Sequence, residues 1–338
     1  MAKPPQFVML AFDGSKNVAF WEASRQFAKE NNVKFTYFAS GVYFLTQADA
    51  QQYLEPKRGR GKSAIGFGGT VADMKDRLHQ MKLAMEEGHE IASHANGHFD
   101  GSKYTADEWN SEFDQFTQIM STVWDRYRLP NEPAGWKAYF KNEILGFRAP
   151  LLGVGNGLYD ALRNHKFRYD TSRVKDMSYW PKKINNIWSF PLAQLTISGS
   201  GKKTLSMDYN FYYTQSGGRE GPPELFPEYE REMYDTYMAY FNFNYHGNRA
   251  PVHIGHHFSL WNGGAYWKAM QRFAAEVSKK EDVICGTYKD LLKFVSETQA
   301  HFAEFDAGHS DRAGELTEEE LQELKSQPRE PACAHDEE

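Results

Sequence analysis

The chain has 338 residues, enough for one large α/β domain or two small ones. Its net charge of -6 gives no electrostatic footprint for nucleic acid. No apolar run approaches the roughly 20 residues that span a bilayer, which excludes a spanning helix.

Residues 7–12 (Phe-Val-Met-Leu-Ala-Phe) form an apolar run that predicts a buried strand, stopped by the turn signal Asp13-Gly14-Ser15. Residues 18–30 read as a helix with Phe20, Trp21, Phe27 and Ala28 near one face, and 34–40 as a second strand. Residues 55–70 are Gly-rich and basic. They lack the Gly-Lys-Ser/Thr of a phosphate loop and read as solvated loop. Val71, Met74, Leu78, Met81 and Met85 recur at helical spacing, with Gly88 as the stop. Residues 90–93 make the next strand. Thr105 and Glu108 form a capping box that opens a helix carrying Trp109, Phe113, Phe116 and Met120. Residues 129–142 read as connection and 144–147 as a short strand ending at Arg148-Ala149-Pro150. A helix follows near 157–165, then 167–169 running into Asp170-Thr171-Ser172. Residues 187–195 read as one strand interrupted by Pro191, and 198–223 as loop around Tyr209, Phe211, Tyr212 and Tyr213. An aromatic helix fills about 226–245, and 251–258 is a strand with His253, His256 and His257. A helix at 265–279 and a segment at 287–295 complete the pattern. The domain is expected to span 1–300. The acidic tail at 301–338 is expected to be mobile, with a short surface helix at 315–325.

Strand, loop and helix thus alternate about seven times, which implies parallel strands joined by crossover helices. Asp13, His94, Arg148, Asp170 and His257 each lie at or just past the end of a strand. In parallel α/β folds these ends open on one face, so residues spread widely in sequence can meet there. His94 and His98 flank an Asn-Gly turn that can aim both imidazoles at one point, and neutral imidazole is a common zinc ligand. Adjacent strand residues face opposite ways, so His256 and His257 cannot both face that mouth, and His257 is preferred. Trp180, Tyr209, Tyr212 and Trp261 lie in predicted loops where sugar rings could stack.

These residues resemble the polysaccharide deacetylases of the NodB-homology class, carbohydrate esterase family 4, in their chitin-deacetylase-like branch. The resemblance covers roughly residues 6–298. It rests on Leu-Ala-Phe-Asp-Gly-Ser at 10–15, Ser-His-Ala-Asn-Gly-His at 93–98, Phe-Arg-Ala-Pro at 147–150, Tyr-Asp-Thr-Ser at 169–172 and the segment 251–261. It implies a distorted (β/α)7-type barrel in a single large domain that hydrolyses N-acetyl groups of amino-sugar polymers. Peptidoglycan is the first choice of substrate and chitin-type oligosaccharide the second. It implies one divalent metal, zinc first, on His94 and His98, with Asp13 as general base, Arg148 orienting that base and His257 as general acid. Asp170, Trp180, Tyr209 and Trp261 are the expected substrate contacts.

Gly14 stands where the family has its second Asp, the third metal ligand. Asp13 then ligates the metal itself, or the metal rests on two histidines and water, or catalysis is lost; the first is the expectation. A glycan-binding protein on the same fold is the alternative function, and a small-molecule amidase a third. The implied substrate points to an extracytoplasmic location, yet residues 1–10 lack the order of an export signal. Either the numbering begins after a removed signal or the protein is cytoplasmic. Cys285 and Cys333 could pair in an oxidising compartment and are otherwise two thiols. Oligomeric state is not legible.

Overall fold

A computed structural model describes residues 3–298. The chain opens with β1 (Gln6–Gly14), which is buried along nearly its whole length. A strand covered on both faces needs a continuous apolar run, as residues 7–12 supply. Helix α1 (Val18–Asn31) starts where Asn17 accepts from Ala19 N at 2.9 Å and ends at Asn32 in the left-handed region. After β2 (Thr36–Ala39) comes a long excursion holding the hairpin β3 (Leu54–Glu55) and β4 (Gly59–Arg60). The expected solvated loop at 55–70 is therefore partly structured. Glu55, Ile65 and Phe67 are buried, and the Tyr104 hydroxyl and the Lys57 and Arg58 backbone amides all bond the Glu55 carboxylate.

Helix α2 (Val71–Glu86) buries Met74, Leu78 and Met81 under a Thr70/Asp73 capping box. Next come β5 (Glu90–Ser93) and α3 (Ala106–Arg126), the latter with the Thr105/Glu108 box in place. Residues 129–142 are not all connection: α4 (Trp136–Asn142) packs Trp136 and Phe140, one helical turn apart, and Trp136 Nε1 donates to the Met120 carbonyl at 2.7 Å. A seven-residue helix is too short to show a period. The next elements are β6 (Gly146–Phe147), α5 (Leu158–Asn164), β7 (Tyr169–Asp170), β8 (Val174–Lys175) and β9 (Lys182–Ile184).

The strand expected over 187–195 is two strands, β10 (Ile187–Ser189) and β11 (Leu192–Thr196), in different sheets. Pro191 has no N–H to donate. Phe190 N still bonds the Asp170 carbonyl, whereas Leu192 N bonds Arg173, so the ladder changes partner across the proline. After β12 (Lys203–Leu205), the expected loop contains α6 (Asp208–Ser216). This helix buries Asp208 and Asn210 beside Phe211 and Tyr212, so no clean apolar stripe betrays it in the sequence. Helix α7 (Phe226–His246), β13 (Val252–His257), α8 (Trp261–Val277), β14 (Val283–Ile284) and α9 (Tyr288–Glu297) finish the described chain. Cys285 is buried; its pairing with Cys333, the tail at 301–338 and the helix at 315–325 lie outside the described residues.

The main sheet runs β13-β1-β2-β5-β6-β7-β10-β9, with β14 also paired to β1. All its pairs are parallel except β10 with β9. A small sheet, β12-β11-β8, packs against β13, where Gly255 N donates to the Ser206 carbonyl at 2.9 Å. The result is a curled, incompletely closed barrel of the expected (β/α)7 type. Alternation divides the core. Phe7, Met9 and Ala11 join Phe38, Ala92, Tyr169, Phe190 and Tyr288 in one cluster inside the curl. Val8, Leu10 and Phe12 face the helices, Phe12 lying 5.3 Å from the ring of Trp267 on α8.

Candidate active site

Asp13 continues the inward row of Phe7, Met9 and Ala11 and stands opposite His257 in the β1–β13 register. His94 follows β5, its N–H bonded to the Ala39 carbonyl at 2.9 Å. Arg148 follows β6, its N–H bonded to Ser93 at 3.1 Å. Parallel register thus brings residues from four strand ends to one mouth.

Arg148 is fully buried there. Its Nη1 donates to Asp13 Oδ1 at 2.7 Å, its Nε to Thr171 Oγ1 at 2.9 Å and its Nη2 to the Tyr288 hydroxyl at 3.4 Å. The guanidinium lies 4.4 Å from the centre of the Phe38 ring. Burial pushes the Asp13 carboxyl up, but the charges of Arg148, His94 and His257 and the Arg148 hydrogen bond outweigh it. Asp13 is held below the ordinary carboxylate value.

His94 Nδ1 donates to the Arg148 carbonyl at 2.7 Å. A carbonyl only accepts, so this bond fixes the tautomer and leaves the lone pair on Nε2. The His94 and His98 rings sit 5.1 Å apart, edge to face. Burial first, and for His98 the charge of His257 next, lower both pKa values to about 4, so both rings are neutral at pH 7. The arch between them is strained: Ala95 and His98 have φ of 53° and 57°. A buried ring of bonds holds it. Asn96 Nδ2 donates to the Glu112 carbonyl at 2.8 Å and to Glu112 Oε2 at 3.0 Å. The Tyr53 hydroxyl donates to Glu112 Oε1 at 2.7 Å and accepts from Gly97 N at 3.2 Å. Sequence reasoning missed Tyr53 and Glu112, which lie in segments with no motif.

His257 Nδ1 donates to Asp208 Oδ1 at 2.7 Å, and its backbone N–H donates to Asp208 Oδ2 at 2.8 Å. Two bonds from one carboxylate fix both the ring and its tautomer, with Nε2 left to carry chemistry. Asp208 was also missed, because it lies in the segment read as loop and meets His257 across 49 positions. His256, on the other face of β13, is buried with its Nε2 3.2 Å from the Tyr237 hydroxyl. His253 faces inward, stacked 5.7 Å from Tyr288, well below the mouth.

Beside His257 stands an aromatic wall. Trp261 lies 5.4 Å from the imidazole and stacks on Tyr212 at 5.0 Å and 3°, with Tyr209 at 5.5 Å. Two expected substrate contacts are elsewhere engaged. Trp180 is buried, and its Nε1 donates to the Asn248 carbonyl at 3.0 Å, near the start of β13 and so at the opposite pole. Asp170 is buried too. It accepts from the Tyr159 hydroxyl at 2.9 Å and from Ser172 N at 3.1 Å as an Asx turn, leaving it no exposed oxygen for substrate.

The donor set expected for the implied metal is incomplete. Among the described residues no three His, Cys, Asp or Glu side chains are grouped so as to hold a metal ion. The expected set of Asp13, His94 and His98 is not among such groups, and Asp13 Oδ1 accepts from Arg148 Nη1. Gly14 has no donor to offer.

Residues 1–135 match the family model described as polysaccharide deacetylase. No curated protein matches the chain in sequence. Among solved structures, one assigned as a polysaccharide deacetylase from Mycobacterium smegmatis is similar, with 15% identity and a TM-score of 0.54 over 88% of this chain and 95% of that one. Another so assigned, from Pseudomonas aeruginosa PAO1, has 14% identity and a TM-score of 0.50 over 87% and 92%. At such identities the likeness concerns the fold. Residues 1–135 are thus similar to the polysaccharide deacetylase family, and the chain as a whole shares the fold of these two structures.

Proposed function

We propose that the protein hydrolyses N-acetyl groups of an amino-sugar polymer, releasing acetate, with peptidoglycan the first candidate and chitin-type oligosaccharide the second. The observation that carries this reading is the meeting of an ionised buried carboxylate, Asp13, and a carboxylate-fixed imidazole, His257, on neighbouring strand ends beside an aromatic wall. Amide hydrolysis needs a group that accepts a proton from water and one that gives a proton to the departing nitrogen. Asp13 is the acceptor, held ionised and oriented by Arg148. His257 is the donor through Nε2 in its imidazolium form, with Asp208 accepting from Nδ1–H and stabilising that cation. Without that proton the tetrahedral intermediate expels water rather than amine. Trp261 and Tyr209 offer flat apolar faces to a sugar ring, and the acetamide reaches between the two groups. A cell-wall polymer places the protein outside the cytoplasm. No described helix is long and apolar enough to cross a membrane.

Acetate release from purified peptidoglycan and from N-acetylglucosamine oligosaccharides tests the reading. Release that disappears in both Asp13→Asn and His257→Ala is the expected result. A second reading, a glycan-binding protein without turnover, is favoured by the incomplete donor set. Glycan binding with no acetate from either polymer would select it and overturn the first. Equal turnover of monomeric and polymeric amides would instead indicate a small-molecule amidase.

A further inference from the structure

We infer a cation half-site: His94 and His98 supply two donors, Gly14 stands where the resemblance puts the third, and the chain therefore binds a divalent metal weakly. Catalytic zinc centres take three protein ligands and leave the fourth position to water. Here the His94 Nδ1–H bond to Arg148 leaves Nε2 as its donor atom, and the His98 ring lies 5.1 Å away. The nearest carboxylate on β1 is Asp13, and it already accepts from the Arg148 guanidinium at 2.7 Å. A metal there would compete with a buried cation for the same carboxylate.

Position 14 is the next residue along β1. It is paired in register with Ala39, whose carbonyl holds the His94 backbone. Its φ of 79° is left-handed, which glycine adopts freely and Asp or Asn adopts more readily than other residues. A Cβ built there meets nothing closer than the Tyr43 ring at 3.5 Å, an ordinary contact. A short carboxylate therefore fits by size, and Asn at the same position reproduces its strain without its charge.

This inference concerns the same mouth as the proposed reaction but is read without substrate, so it stands or falls separately from turnover. The full chain, stripped with chelator, is titrated with Zn²⁺ alone by calorimetry, and bound metal is counted after gel filtration. The wild type is expected to keep less than stoichiometric metal. Gly14→Asp is expected to bind at least about 100-fold more tightly than both wild type and Gly14→Asn, since losing even an outer-sphere partner costs about 10–100-fold. The inference is overturned if wild type retains one zinc per chain that His94→Ala removes, or if Gly14→Asp binds no better than Gly14→Asn. Should both position-14 variants fail to fold, the wild-type and His94→Ala measurements still decide it.

Discussion

Replacing Arg148 by Met isolates what the buried ion pair does. The change keeps an unbranched chain of similar length and removes the guanidinium that bonds Asp13, Thr171 and Tyr288. Asp13 would then be a buried carboxylate without its partner, and breaking such a pair from one side costs about 3–5 kcal/mol. In a domain of this size that lowers the melting temperature by on the order of 10 °C. The pH dependence has a definite sign. Asp13 is held below its unfolded value of about 3.9, so its contribution is present above that pH and fades as pH falls through the folded value. In Arg148→Met burial is unopposed by the guanidinium, so the carboxyl moves up and takes a proton at higher pH. The stability gap between the two proteins is therefore widest near pH 7 and narrows toward pH 4. Asp13→Asn in the Arg148→Met background removes the stranded charge and is expected to recover part of the loss. Urea unfolding at three pH values measures all four corners of the cycle. A loss below about 1 kcal/mol, or a gap that does not change with pH, would refute the assignment of Asp13 as the buried partner.

Asp208→Asn leaves the shape but can present an N–H to His257 Nδ1, releasing the tautomer; acetate release should fall about 10²–10⁴-fold while glycan binding holds. Tyr53→Phe strands both Gly97 N–H and Glu112 Oε1, and should cost about 1–3 kcal/mol by denaturant unfolding with loosened His94 and His98 resonances in NMR spectra. Trp261→Ala should weaken oligosaccharide binding about 10-fold by affinity electrophoresis, the scale of one aromatic stacking contact. Trp180→Ala should leave that affinity unchanged while costing about 3–5 kcal/mol of stability. Gly255→Ala would place a methyl 2.6 Å from Met207 Cε and 3.1 Å from Arg148 Nη1. It should cost about 1–3 kcal/mol, partly restored by Met207→Ala, as overpacking against a movable side chain predicts.

Local features that follow from neighbours in sequence were legible. The apolar run of β1, the Met stripe of α2 and the Thr105/Glu108 box each rest on contacts within a few residues, and each formed. Features that depend on distant partners were not. Asp208 meets His257 across 49 positions and Glu112 meets Tyr53 across 59, so neither carboxylate has a local signature. Trp180 looked like a loop aromatic because period alone cannot tell which pole of a barrel a loop serves. Asp170 sat at a strand end like Asp13, yet the Ser two residues on and the Tyr159 hydroxyl satisfy it locally. A strand-end position is therefore necessary for the mouth but does not select which polar residues are left with work to do.

What does select them is the direction each side chain takes at its strand end, and β13 shows it within two residues. His256 and His257 are chemically identical and adjacent, yet one packs under helices against Tyr237 while the other stands beside Asp13. The difference is pleat parity carried across a parallel register: Met9 with His253, Ala11 with Gly255 and Asp13 with His257 share the inward face. A slip of one residue would set Asp13 beside His256 and turn β13's inward set outward, away from Arg148. Gly255 works against that slip, since a side chain at that point in the row would press on Met207 and Arg148. The chemistry at the mouth is thus tied to packing two residues below it, and the barrel core and the site are specified by the same alternation.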